Sequence, residues 1–263
     1  MTSPPPSERV AIVTGSSRGI GRAIAAALAA DGMRLLLTAR DPEALSRVAA
    51  DLRRGGARVA VHVDDLRDPA AAARIVAAAE RELGPVTAVV SNAGTAPSDK
   101  VENTSQDVLL ETFLLHVAAP LALARACVPG MKRGGGGVLL HVASTAGLRG
   151  YPFTAAYTAA KHGMVGLARA LHAELAAAGI RSYALCPGFV DSDITRGAAA
   201  AIASRGRITA DEAFARMGKQ NRIGRMHTPA EVAAAAAHLL RDLPVGCVYE
   251  LDREPPGFVD PAP

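Results

Sequence analysis

The chain has 263 residues, 49% hydrophobic and 21% charged, with 3% aromatic and no Trp. That is long enough for one large α/β domain whose core is built from Ala, Val, Leu and Ile. The formal net charge of +4 is scattered, with no basic run longer than Arg53-Arg54 or Lys132-Arg133, so nucleic acid is not the expected partner. Cys127, Cys186 and Cys247 lie far apart with no Cys-x-x-Cys pair and no His cluster beside them, which predicts buried thiols in a reducing compartment and no metal site.

Residues 1–8 form a predicted disordered tail with neither the apolar core of a signal peptide nor the basic pattern of a transit peptide. No apolar run approaches bilayer-spanning length, so a soluble cytoplasmic protein without a membrane partner is expected. From residue 9 to 252, short β-branched or Leu-rich runs alternate with longer Ala-rich stretches of helical character. Strands are predicted at 10–14, 34–38, 58–63, 86–91, 137–143, 180–186 and 245–251. Helices are predicted at about 20–31, 42–54, 69–83, 106–132, 155–178, 210–217 and 229–241. Such alternation specifies a parallel sheet covered on both faces, in a single domain. Residues 191–221 break the rhythm with loop signals around one short helix, as active-site lids do. The tail at 253–263 is Pro-rich and is expected to lie extended over the surface or a partner subunit.

After the first strand comes Thr14-Gly15-Ser16-Ser17-Arg18-Gly19-Ile20-Gly21, which opens the first helix. Three glycines at this spacing permit a tight turn and close backbone approach, while the helix N-terminus offers free N–H groups to a pyrophosphate. The second strand ends in Thr38-Ala39-Arg40, where a ribose 2′-OH would be met by a carboxylate. Arg18 and Arg40 could instead clamp a 2′-phosphate, which predicts NADP(H) over NAD(H), with NAD(H) still possible if Asp41 takes the hydroxyl.

In Tyr157-Thr158-Ala159-Ala160-Lys161 the phenol and the ammonium share one helical face about a turn apart, and Ser144 lies thirteen positions before the Tyr. A neighbouring cation favours phenolate, so Lys161 is expected to draw the Tyr157 pKa down toward neutrality.

With these two groups together the chain resembles the short-chain dehydrogenase/reductase family over about Val10 to Leu251, including its 3-oxoacyl carrier-protein reductases. Further motifs carry the resemblance: Asp65-Leu66, Ser91-Asn92-Ala93-Gly94 and Pro187-Gly188-Phe189-Val190. The resemblance implies a Rossmann-type doubly wound, seven-stranded parallel sheet. It implies that Tyr157 passes the proton, Lys161 lowers its pKa and binds ribose, and Ser144 polarises the substrate carbonyl. Cofactor contacts implied are Gly15, Ser17, Arg18, Gly19, Ile20, Gly21, Arg40, Asp65, Leu66, Asn92, Ala93, Gly94, Tyr157, Lys161, Pro187, Gly188, Val190 and Ser192. Where the family carries a fourth catalytic Asn, counting back thirteen from Pro129 gives His116. Pro120 lacks the N–H that would bond to the His116 carbonyl, so it is expected to kink the helix and free that carbonyl for a proton relay.

The substrate wall is expected from Thr95 to Ser98, from Ala146 to Leu148, at Tyr151, Phe153 and Phe189, and in the lid from Asp191 to Asn221, beside Ser144. Its apolar character points to an uncharged or carrier-bound ketone or secondary alcohol. The family also implies a homo-oligomer, a dimer or tetramer, with Leu109, Leu110, Phe113, Leu114, Met164, Leu167 and Leu171 on the pairing helices. Of the other readings, a 3-oxoacyl carrier-protein reductase is distinguished by thioester substrates, and a weakly active nucleotide sensor or scaffold by the substitution at His116.

Overall fold

A computed structural model of the chain describes residues 8–206 and 208–259. Of the expected amino-terminal tail, all but Glu8 lies outside the described residues. The apolar runs become strands: β1 (Val10–Thr14), β2 (Arg34–Ala39), β3 (Val59–Val63), β4 (Ala88–Ser91), β5 (Gly137–Val142), β6 (Ile180–Cys186) and β7 (Val248–Glu250). These pair in parallel in the order β3-β2-β1-β4-β5-β6-β7. From β1 the chain winds outward through β2 and β3, then returns to pair β4 on the other side of β1. This reversal opens a crevice at the carboxyl ends of β1 and β4, the place where ligands bind in open α/β sheets.

Both faces are covered, which is why the strands read as nearly continuous apolar runs. Helices α1 (Gly19–Ala30), α2 (Pro42–Arg54) and α9 (Pro229–Asp242) lay Ile24, Leu28, Leu45 and Leu239 on Val13, Leu37 and Leu140. On the other face α3 (Ala71–Leu83), α5 (Ala119–Arg133) and α6 (Ala155–Leu175) bring Ile75, Leu123, Met131 and Leu175 to Ile12, Leu36 and Leu139. Adjacent residues such as Leu139 and Leu140 fall in opposite clusters, as the pleat requires.

Four differences from expectation have physical causes. The long fourth helix is interrupted: α4 (Gln106–Phe113) passes through a π-turn at Leu114–Ala118 into α5, just before Pro120. The Ala119 N–H reaches back to the Leu114 carbonyl, and residue 120 has no N–H to offer His116. The run Gln106–Arg133 is long and apolar enough to cross a bilayer, but Leu123, Ala124, Cys127 and Met131 pack it onto the sheet.

Residues 191–221 are largely helical instead of looped, forming α7 (Asp193–Arg205) and α8 (Ala210–Gly218). Ser192 caps α7 by accepting from Thr195 N (3.3 Å), and Thr209 and Glu212 form a reciprocal capping box on α8. In the described part of the segment after β7 the chain folds back, since β8 (Gly257–Phe258) pairs antiparallel with β7 as an eighth strand, while residues 260–263 of the expected tail lie outside the described residues. Phe258 stacks edge-on to Tyr249 of β7 at 5.3 Å between ring centres, over a bare Gly246. Finally, Met164 (1% exposed) and Leu171 (8%) are core residues within the chain and cannot face a partner, whereas Leu110 is exposed.

Candidate active site

Thr14, at the last position of β1, organises the crevice. Its hydroxyl donates to the Val90 carbonyl (3.2 Å) and accepts from the N–H groups of Asn92 (2.9 Å) and Ala93 (3.0 Å). In return the Asn92 amide donates to the carbonyls of Thr14 (2.9 Å) and Gly15 (3.2 Å). The loops after β1 and β4 are thereby locked together. No other side chain than hydrogen fits between them: a Cβ on Gly15 would lie 2.8 Å from Ala93 Cα, and one on Gly21 would collide with the Gly15 carbonyl. Gly15 and Gly19 take φ of +63° and +54°, and space is open above Gly19. The N-terminus of α1 carries no side-chain cap, because Arg18 occupies the cap position with its side chain turned outward to Asp193 (3.5 Å). Bare N–H groups above a glycine turn fit a pyrophosphate.

Around this cradle, Ser17 and Ile20 are half-buried and Arg40 is exposed at the end of β2. Asp65 is held below the usual carboxylate range, first by its hydrogen bonds from Arg67 (2.7 Å to Nη2) and also by the charge of Arg40. Leu66 packs on the core under α3. Past β6, the Pro187 carbonyl accepts from Thr145 N (2.9 Å), and buried Val190 bridges to His227.

Tyr157 lies beside Ser144 beyond the carboxyl end of β5, near enough that the Ser144 hydroxyl acts to lower the phenol's pKa. The Ser144 hydroxyl also accepts from Ala146 N (3.1 Å), which fixes it at the head of a single 3₁₀ turn. Lys161, 4% exposed, donates from Nζ to the Val142 carbonyl (2.7 Å), and Nζ lies 5.6 Å from the Tyr157 ring centre. The electrostatics differ from the expected pattern. Burial pushes the Tyr157 phenol up to about 12, opposed by the neighbouring Ser144 hydroxyl, and burial pulls Lys161 down to about 7. Lys161 therefore does not draw the phenol toward neutrality here. Desolvation dominates, and the phenol holds its proton at neutral pH as a donor.

His116 sits in the π-turn, 1% exposed, edge-on to Tyr157 with ring centres 5.7 Å apart. Its Nε2 donates to the Thr95 carbonyl (2.8 Å), so this imidazole clamps the loop after β4. A Cβ on Gly94 would strike the imidazole, so the loop needs glycine there. Burial, then the charge of Lys161, lowers His116 to about 3, so the ring is neutral.

Tyr151 shares its hydroxyl with Thr145 Oγ1 (2.9 Å) and Arg149 Nε (3.0 Å), and its ring meets Phe189 edge-on at 5.7 Å. Arg149 continues to Glu250 (3.3 Å) and to the buried Asp252 (3.2 Å). Asn221 fixes Phe189 through both backbone groups, at 2.7 and 2.8 Å. Leu148 packs on the core around Met164, while Phe189 packs against α7 and α8. Thr95 and its neighbours Ala96 and Pro97 line a pocket of about 290 Å³ with Glu111 and Thr112. Thr14, Asn221, Arg149 and Asp252 were not singled out by sequence. Only Thr14, a hydroxyl ending a strand before a glycine turn, carried a local signal.

A parallel sheet with a glycine-lined crevice and a Ser-Tyr-Lys group beside it is the frame of a dehydrogenase or reductase. The chain belongs to the short chain dehydrogenase family, which it matches over residues 9–203, and it is an oxidoreductase of that family. It is 35% identical over 235 residues to a protein described as ketoacyl reductase 1 of the granaticin polyketide synthase from Streptomyces violaceoruber, covering 89% of this chain and 86% of that one. An actinorhodin polyketide ketoreductase variant solved with NADPH superposes with a TM-score of 0.85 at 31% identity, covering 91% and 92% of the two chains. A protein named inactive 2-(S)-hydroxypropyl-CoM dehydrogenase 2, from Xanthobacter autotrophicus, is also 35% identical, over 84% of this chain and 94% of that one. Overall similarity thus does not separate active from inactive members, and the site has to.

Proposed function

We propose that the protein is an NADPH-dependent reductase of ketones, working in reverse on secondary alcohols, with Tyr157 as the acid/base. The observation that carries this reading is the convergence of Ser144, Tyr157 and the buried Lys161, whose Nζ lies 5.6 Å from the Tyr157 ring centre. When bound, the nicotinamide supplies hydride to the carbonyl carbon. Ser144 and Tyr157 then stand as two donors for one developing alkoxide: Ser144 polarises the oxygen and the protonated phenol delivers its hydrogen. Lys161 recharges Tyr157 after the transfer, and the His116 carbonyl, with no amide at Pro120 to bond it, is the main-chain end of that supply.

The glycine turn, Asn92-Ala93-Gly94, Asp65-Leu66, and the segment from Pro187 through Val190 to Ser192 would hold the cofactor. Arg18 and Arg40 would take the 2′-phosphate, at the cost of the exposed Arg18–Asp193 pair, and α7 with α8 would act as the substrate lid. Retention of Ser144, Tyr157 and Lys161 together favours an enzyme over a nucleotide sensor. A carrier-bound 3-oxoacyl thioester is the second reading for the substrate, favoured by the ketoacyl reductases among the similar proteins. A panel of free ketones and acyl thioesters, assayed with NADPH and NADH and with Tyr157→Phe as control, tests all of this. Full turnover by that variant would refute the mechanism, and thioester-only turnover would select the second reading.

A further inference from the structure

Behind the substrate wall expected at Tyr151 and Phe189 stands a charged cluster that the mechanism above does not use. Arg149 donates from Nε to the Tyr151 hydroxyl (3.0 Å), from Nη1 to Glu250 Oε1 (3.3 Å) and from Nη2 to Asp252 Oδ2 (3.2 Å). Asp252 is 0% exposed, and its other oxygen accepts from Arg222 N (3.0 Å) and from His227 Nε2 (3.3 Å). Glu250, buried at the end of β7, turns its second oxygen to the Arg222 guanidinium at 3.8 Å. Arg222 in turn follows Asn221, the residue that fixes Phe189.

The cluster reaches the reacting groups in short steps. Tyr151 shares its hydroxyl with Thr145 Oγ1 (2.9 Å), and Thr145 follows Ser144 in the chain. Tyr151 also lies within electrostatic reach of the Tyr157 phenol, adding to the larger effect of burial there. The Arg149 side chain keeps 32% of its surface exposed, so its charge is not sealed away.

A guanidinium at the wall of a carbonyl site is by itself a receptor for a carboxylate. Here that capacity is already taken. The guanidiniums of Arg149 and Arg222 and the carboxylates of Glu250 and Asp252 sum to zero charge, and farther out Arg225 and Glu231 pair with each other (2.6 Å). Burying two carboxylates is costly, and a wall that only had to hold Tyr151 in place could use neutral partners.

We propose that Glu250 and Asp252 are specificity-determining residues: by cancelling Arg149 behind Tyr151 they keep the substrate site neutral, so that it takes ketones whose carboxyl group is an ester or thioester and turns away free keto acids. The proposal rests on the reading of Ser144 and Tyr157 given above and narrows its substrate class. Both carboxylates act through Arg149.

The test compares two substrates that differ by one charge, ethyl acetoacetate and acetoacetate, by kcat/KM with NADPH. If only thioesters turn over, the N-acetylcysteamine thioester replaces the ester, and if acetoacetate is not reduced, its Ki against the neutral substrate replaces kcat/KM. Wild type should favour the neutral substrate. Glu250→Gln keeps the side-chain shape and leaves Asp252 on its turn, but uncovers one positive charge. It should raise acetoacetate relative to the neutral substrate at least roughly fivefold, and the gain should shrink between about 50 and 500 mM salt. Asp252→Asn uncovers the same charge and should move the ratio the same way. Arg149→Met uncovers a negative charge and should move it the opposite way. The double variant Arg149→Met with Glu250→Gln returns the sum to zero and should restore the wild-type ratio.

A role in holding the wall alone would slow both substrates together and leave the ratio where it was. A ratio within about twofold of wild type in Glu250→Gln would therefore overturn the proposal. So would a wild-type preference for acetoacetate, a shift of the same sign in Arg149→Met, or a gain that salt does not touch. Should Arg149→Met not fold, the sign and salt dependence in Glu250→Gln or Asp252→Asn decide. Tyr157→Phe separates the two levels of the argument: full turnover there refutes the acid/base reading and this proposal with it, whereas lost turnover there with an unmoved ratio in Glu250→Gln refutes this proposal alone.

Discussion

The crevice between β1 and β4 and the buried polar atoms around the Ser-Tyr-Lys group lie a few residues apart along the same strands, yet they treat polar atoms in opposite ways. At the crevice every hydrogen-bonding atom of Thr14 and of the Asn92 amide nitrogen is committed to a neighbouring loop. One residue back on β4, Ser91 has no partner, and its neighbour His141 has none either. The first region is a backbone cradle whose shape must not change when ligand arrives. The second leaves hydrogen-bonding atoms without a partner inside the protein, which costs stability. Both kinds of region are thus built from the same strand ends, by choosing whether a side chain is satisfied within the protein.

The contrast can be broken most forcefully at Tyr157. Tyr157→Phe should lower kcat by about 10²–10⁴-fold while leaving NADPH affinity within about twofold, read by steady-state rates and a fluorescence titration. A comparable loss of NADPH binding would mean that the two regions are one structural unit. Next in size, Thr14→Val keeps the shape but strands two loop N–H groups, and should cost about 2–3 kcal/mol, or roughly 5–10 °C in melting temperature. His141→Leu should show no such loss, so equal destabilisation of the two variants would erase the distinction. Smaller again, Arg40→Ala should weaken NADPH about tenfold, about 1.4 kcal/mol, with little change for NADH. Equal losses for both cofactors would leave Arg40 without a phosphate to bind.

A last test is a pH slope, and its sign follows from proton counting. His116 and His141 have folded pKa values near 3 and 4, against 6.5 in the unfolded chain. Below pH 6.5 the unfolded state binds more protons, so stability should fall as pH drops toward about 4. His141→Leu should flatten that slope in urea titrations at pH 7 and 5. On the alkaline side Lys161, lowered to about 7 from 10.5, should make stability rise between those values, a rise that Lys161→Met removes.

What was legible in the sequence is what spacing encodes. The glycine turn, the strand-helix alternation and the run from Ser144 to Lys161 are local patterns, and the structure brings Ser144, Tyr157 and Lys161 together. The direction of the Tyr157 shift was not legible, because it depends on how deeply the phenol is desolvated, a property of packing. Ser91 facing His141, and Arg149 reaching Asp252, depend on which strands lie side by side, and no period in the chain reports that. Helix α7 was hidden by Gly197 and by Ser204 and Gly206 near its end, although the Ala run at 198–201 inside it is a strong helix former. Pro255 and Pro256 likewise disguised β8, since prolines argue against a strand without forbidding one that starts just after them.

That last strand bears on how copies of the chain could meet. An open parallel sheet ends in a row of unpaired N–H and C=O groups that invites pairing with any similar edge. Here the chain folds back on itself at Gly257–Phe258, and Arg253 ties the turn by donating to the Phe258 carbonyl (2.8 Å). The β7 backbone is thereby spoken for within its own molecule. Any assembly built through this end of the sheet has to join by side chains or across the two-residue β8, and the ribbon guards the protein against indiscriminate edge-to-edge growth.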